Sequence, residues 1–88
     1  LVGHDSWIRA LAFNKTGDVL VSGGYDGRLI WWSATADAPA MIRNVDAHLG
    51  WIRALAVSPD GTLLASCSDD KKIKIWNMAD ASLIRTLP

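Results

Sequence analysis

The chain has 88 residues, half of them hydrophobic and five of them Trp, with nine Lys plus Arg balanced by nine Asp plus Glu. That apolar content excludes intrinsic disorder. The zero net charge gives no electrostatic argument for nucleic acid or an anionic membrane as partner.

Residues 7–13 are apolar and aromatic and read as a first strand. Asn14-Lys15-Thr16-Gly17 follows as a turn. Residues 19–23 form a second strand, closed by the turn Gly24-Tyr25-Asp26-Gly27, and residues 28–32 a third. The loop Thr35-Ala36-Asp37-Ala38-Pro39 leads to a weaker fourth strand near 40–45. The same order returns at 51–57, 63–67, 72–76 and 82–87, with Ser58-Pro59-Asp60-Gly61 as the matching first turn. Four strands at intervals of roughly ten residues predict antiparallel all-β units rather than βαβ units.

The strands also carry a packing requirement. Ile8, Leu11 and Phe13 share one side only if a β-bulge near Arg9-Ala10 shifts the alternation, with Ala10 and Ala12 facing the other way. Several strands are therefore apolar on both faces. Such a sheet needs a neighbour on each side, which stacked radial blades provide and an isolated sheet does not.

Sliding the sequence against itself by 44 residues aligns the halves without a gap. His4 falls on His48, Trp7-Ile8-Arg9-Ala10-Leu11-Ala12 on Trp51-Ile52-Arg53-Ala54-Leu55-Ala56, Ser22 on Ser66, Asp26 on Asp70 and Trp32 on Trp76. Between 4–33 and 48–77 there are 12 identities in 30 positions. The repeat divides the chain into a first unit over 1–44 and a second over 45–88.

Other features carry less. Cys67 is the sole cysteine, within the apolar run Leu63-Leu64-Ala65-Ser66-Cys67, and reads as a buried inert thiol. No apolar run reaches membrane-spanning length and no signal peptide is visible, which points to a cytoplasmic setting with no membrane partner. The chain begins without Met and reads as trimmed or cut from something longer. Asn14-Lys15-Thr16 matches a glycosylation acceptor, a pattern common by chance. Lys71-Lys72-Ile73-Lys74 reads as a strand with a solvated edge, so no nucleic-acid partner is expected. Two His without further ligands make no metal site, and no cofactor is expected.

Gly3-His4, the strand Trp7 to Phe13, Ser22-Gly23-Gly24-Tyr25-Asp26-Gly27 and Trp32 together resemble the WD-repeat β-propeller family. So do His48, Ser58-Pro59-Asp60-Gly61, Ser66, Asp69-Asp70 and Ile75-Trp76-Asn77 in the second unit. The dipeptide that names the family is Trp32-Ser33 here and Trp76-Asn77 there, and Gly-His becomes Ala47-His48. The resemblance implies an all-β propeller with two four-stranded antiparallel blades per chain. It also implies a buried hydrogen-bond tetrad in each blade: His4, Ser22, Asp26 and Trp32, then His48, Ser66, Asp70 and Trp76.

These Ser-His-Asp sets invite a hydrolase reading. Each Ser lies in a strand rather than an exposed elbow, no Gly-x-Ser-x-Gly surrounds it, and the set recurs once per unit with a Trp attached. A non-catalytic role is therefore expected. The resemblance places partner binding on the top face, at Trp7, Arg9, Tyr25, Trp51, Arg53 and Asp69. Trp and Arg are enriched at binding hot spots. The alternative for these residues is structural, with Trp packed on the next blade and Arg in an ion pair.

Two blades cannot close a ring. Closure then needs the missing blades of a longer protein, or copies joined head to tail. A homotetramer would give eight blades, the leading expectation, and a homotrimer six. The chain is expected to be a protein-interaction scaffold for a peptide or protein. The other reading is an assembly unit that only rebuilds a ring.

Overall fold

The computed structural model describes residues 7–34 and 40–87, so His4 and the loop 35–39 lie outside the described residues. Two four-stranded antiparallel sheets follow one another along the chain. The first contains β1 (Ile8–Phe13), β2 (Val19–Gly24), β3 (Arg28–Ser33) and β4 (Ala40–Asp46). The second contains β5 (Ile52–Val57), β6 (Leu63–Ser68), β7 (Ile73–Asn77) and β8 (Leu83–Leu87). In each, strands lie in chain order, as a meander does. Register shifts between Ile8 and Ala10, and again between Ile52 and Ala54, set Arg9 and Arg53 at bulges and re-aim the strands as the alternation required.

Directly opposed residues of antiparallel strands share a face. In the first sheet Ala12, Val21 and Trp31 form one such row, and Gly23, Leu29 and Val45 another. In the second, Val57, Leu64 and Trp76 are aligned. These two faces meet in one apolar cluster with Ile52, Ala47, Met78 and Ala81. Val21, Leu29, Ile52 and Leu64 are fully buried there. Each such side chain contributes about 1.5–3 kcal/mol relative to exposure.

Trp31 fastens the seam. Its ring meets Trp76 edge-on with centroids 6.3 Å apart. Its indole N–H donates to the Met78 carbonyl at 3.0 Å, so the buried polar atom is satisfied. Opposite Leu29, Gly23 leaves room for Ile52, whose Cγ2 would lie 2.7 Å from any added Cβ.

The connection between the sheets is held at the β2–β3 turn. The Gly27 carbonyl accepts from the backbone N–H of Ala47 and of His48, at 3.1 and 3.0 Å. Gly27 has φ +77°, and a Cβ there would run into the His48 carbonyl oxygen. Both conditions select glycine. At the other end, Asn14 uses its side chain to organise the β1–β2 turn. Its amide donates to Asp18 at 2.6 Å and its carbonyl accepts from the Val19 N–H at 3.1 Å.

Two expectations need correction. Cys67 is half-buried rather than buried. It lies in a row with Ala54, Ile73 and Leu87 on the face turned away from the first sheet, which no other described strand covers. Lys74 is not on a solvated edge. It pairs with Ser66 on the side facing the first sheet, and its ammonium donates to the Ala47 carbonyl at 2.5 Å.

Candidate binding face

The second sheet, with the connection before it, holds a buried chain of hydrogen bonds. Trp76 Nε1 donates to Ser66 Oγ at 2.9 Å, Ser66 Oγ lies 2.8 Å from His48 Nε2, and His48 Nδ1 lies 2.8 Å from Asp70 Oδ2. Indole is donor-only, so the Ser66 oxygen accepts from it, and the hydroxyl proton is then free to donate to a neutral imidazole at Nε2. That leaves the ring proton on Nδ1, donating to Asp70. Burial pushes the Asp70 carboxyl up. The His48 hydrogen bond and the backbone N–H groups of Lys72 and Leu49 outweigh it, so the group titrates below the ordinary carboxylate range.

The first sheet repeats part of this. Trp32 Nε1 donates to Ser22 Oγ at 2.8 Å, and Asp26 Oδ1 accepts from the Arg28 N–H at 3.1 Å. The fourth expected member, His4, lies outside the described residues.

Both Ser hydroxyls are fully buried. What the same turns present to solvent is a run of rings and charges. Trp51, just before β5, stacks on Tyr25 from the first sheet's β2–β3 turn, with centroids 4.1 Å apart and planes 15° from parallel. Tyr25 meets Trp7 at 6.0 Å and 33°. The Arg53 guanidinium sits 5.1 Å from the Trp51 centroid. Asp69 grips it in a fork, accepting from Nε at 2.7 Å and from Nη2 at 2.9 Å. That hydrogen bonding raises the Arg53 pKa and lowers that of Asp69.

The ladder crosses from one sheet to the other and stays open to solvent: Trp7 is 76% and Trp51 45% exposed. Leu49, in the loop just before Trp51, is almost fully exposed beside it. The structure thus brings Trp7, Tyr25, Trp51, Arg53 and Asp69 together. Arg9, one strand position beyond Ile8, is exposed and makes no hydrogen bond or ion pair among the described residues.

Three contributions are not read from sequence: the seam contacts of Trp31 and of Lys74, and the exposure of Leu49. For the first two the available signal was repeat mismatch, since Trp31 aligns with Ile75 and Lys74 with Ile30. The opposite end of the seam holds a cleft of about 600 Å³, with Trp31 and Met78 among its lining residues and Asp60, Asp80, Lys15 and Arg43 among its polar ones. Among the described residues no group of three or more His, Cys, Asp or Glu is placed to hold a metal ion. Nor is any helix long and apolar enough to cross a membrane.

The family model for the WD domain, G-beta repeat, matches residues 1–33 and 40–77. The chain belongs to the WD40 family. Among WD40 relatives, it is 44% identical over 48 residues to the nuclear distribution protein PAC1 of Tuber melanosporum (strain Mel28), covering 54% of this chain and 11% of that protein. It is 48% identical over 29 residues to the antiviral protein SKI8 of Saccharomyces cerevisiae, covering 33% of this chain and 7% of that one. The fold superposes on the RRP9 WD40 repeats with a TM-score of 0.92 and 25% identity, over 99% of this chain and 27% of that one. On U3-55K the TM-score is 0.91, also at 25% identity, over 99% of this chain and 28% of that one. The chain thus spans about a tenth of the relatives it matches and about a quarter of each WD40 structure. Its all-β fold is that of WD40 propeller blades.

Proposed function

We propose that this WD40 chain works as a non-catalytic interaction scaffold. Its binding surface for a peptide or protein partner is the end that carries Trp7, Arg9, Tyr25, Trp51, Arg53 and Asp69. One observation carries the reading: an exposed aromatic ladder crosses the seam and is already ordered, with Trp51 held by Tyr25 and Arg53 held by Asp69. A surface fixed before binding loses little side-chain entropy when a partner lands. Against catalysis stands the placement of the Ser hydroxyls, which are sealed from solvent; that of Ser66 lies between an indole and an imidazole. His48, Ser66, Asp70 and Trp76, with Ser22, Asp26 and Trp32, then act as internal struts beneath the binding end.

The test is selection of a displayed random peptide library on the chain. Binders should lose at least tenfold in affinity to Trp51→Ala and to Tyr25→Ala. Binders indifferent to both changes would place recognition elsewhere and end the proposal.

A second reading, that the chain serves as an assembly unit, is supported by the sheet faces. The far side of the first sheet presents half-exposed Leu11 and Phe13, and that of the second Leu63 and Ile73. By the 44-residue repeat these correspond to Leu55, Val57, Val19 and Leu29, which pack at the internal seam. Neighbouring blades of a parent chain, or head-to-tail copies forming a tetramer or trimer, would cover them. Native mass spectrometry of the chain decides: masses of three or four protomers support self-closure, and a stable monomer removes it.

A further inference from the structure

We infer that the partner bound at the aromatic ladder is an acidic peptide segment, one of whose Asp or Glu side chains takes the Arg9 guanidinium in a two-pronged grip. The inference rests on the binding-face reading above and names the partner's chemistry. Its basis is an asymmetry between two halves that otherwise repeat.

In the second sheet, Trp51 and Arg53 are completed by Asp69, which accepts from both Nε and Nη2 of Arg53. The first sheet supplies Trp7 and Arg9 at the matching positions, but its residue aligned with Asp69 is Tyr25. Tyr25 brings no carboxylate, and its ring is turned across the seam onto Trp51. Arg9 is left exposed, with no ion pair or hydrogen bond among the described residues, next in line to the most exposed Trp of the ladder. The fold thus shows, one blade away, the ligand this guanidinium lacks. A planar guanidinium matches a carboxylate bidentately, with directionality a point charge does not have.

The surroundings share the sign. The carboxylates of Asp46, Asp69 and Asp70 at this end are engaged by Arg28, Arg53 and His48. The neighbouring Lys71 and Lys72 are exposed cations. Although the whole chain is neutral, the exposed charges without an ion pair at this end, among the described residues, are those of Arg9, Lys71 and Lys72, which favours an acidic partner. The exposed Trp7 and Leu49 add apolar surface at this end, so aliphatic or aromatic residues near the acidic one fit. A single-stranded nucleic acid fits less well. Tyr25 and Trp51 already stack on each other at 4.1 Å, which leaves no slot for a base between them.

The test compares peptides selected from a displayed random library on the unaltered chain and on R9E. The unaltered chain should enrich Asp or Glu flanked by apolar residues, and R9E should replace them with Lys or Arg at the same peptide position. With an acidic binder fixed, R9Q should weaken binding at least tenfold. Y25D, which restores the carboxylate that the second sheet has, should weaken it more than Y25A does, by occupying Arg9 from within. Circular dichroism establishes that these variants keep their sheets. Binders that depend on Trp51 but show no acidic enrichment, or that survive R9Q, overturn this inference and leave the binding face standing. Binders independent of Trp7, Tyr25 and Trp51 overturn both. A fluorescein-labelled oligo-dT that binds more tightly than the best peptide and is lost in R9Q assigns the site to nucleic acid and overturns the inference.

Discussion

Ser66→Ala removes one oxygen from the interior of the second sheet, and its cost can be worked from the contacts. The Ser66 side chain is fully buried, as is the His48 ring, and Trp76 is 3% exposed. Without Oγ, the Trp76 indole N–H loses its acceptor and His48 Nε2 loses its donor. An unsatisfied buried polar group costs about 1–3 kcal/mol. Two such groups, with some relief from local shifts, give about 2–4 kcal/mol. A domain of this length has about 4–13 kcal/mol in total, so the single change removes a large share. At about 4–8 °C per kcal/mol, the melting temperature should fall by roughly 8–32 °C. The assay is urea and thermal unfolding followed by tryptophan fluorescence, with Ser82→Ala as the control. Ser82 is exposed and binds Asp80 in a surface turn, so its loss should stay within about 0.5 kcal/mol. A Ser66→Ala change as small as the control would refute the hydrogen-bond reasoning. A hydrolytic role for Ser22 or Ser66 predicts the opposite pattern, with stability kept and turnover abolished.

Two further outcomes follow from the turns. Gly27→Ala meets both a left-handed backbone and the His48 carbonyl, whereas Gly17→Ala, at φ +79°, meets nothing within 4 Å. Gly17→Ala should cost about 1–2 kcal/mol and Gly27→Ala about 2–4 kcal/mol, and equal losses in chemical denaturation would contradict the clash. Asp60 accepts from the Ser58 hydroxyl, the Thr62 N–H and the Thr62 hydroxyl, which lowers its pKa to about 2. A carboxyl lowered by folding stabilises the fold above its unfolded value and stops doing so as pH falls through the folded one. The turn should therefore loosen as pH drops from about 4 to about 2. Carboxyl NMR titration should place Asp60 near the lower value, and Ser58→Ala should move it upward; a midpoint in the ordinary range in the unaltered chain would contradict the geometry.

Strand positions and the bulge near Arg9-Ala10 were legible because period-two alternation and turn chemistry are local. Each strand lies within one residue of its expected span. Orientation was harder. Alternation tells which residues of β7 share a side, but Ile73 and Lys74 offer no local clue to which side meets the first sheet. The run of Lys reads as a solvated edge. The chain instead turns Lys74 inward, where the Ala47 carbonyl satisfies its ammonium. Cys67 was misjudged for a related reason: an apolar run implies a covering layer without saying whether that layer is in the same chain. The residues of the exposed ladder were named from the family resemblance, but the stacking of Tyr25 on Trp51 depends on how two sheets sit together, which no local pattern encodes.

The void at Gly23 has a consequence for any complete ring. Inside the chain, Ile52 fits because nothing projects from Gly23. One repeat later the corresponding residue is Cys67, and the counterpart of Gly27 is Lys71. Whatever lies against the second sheet's outer flank therefore meets protruding side chains where the inner junction has open backbone. The two junctions are cut to different templates, so successive wedges of the wheel are not interchangeable, and the order in which they fit is written into these two positions.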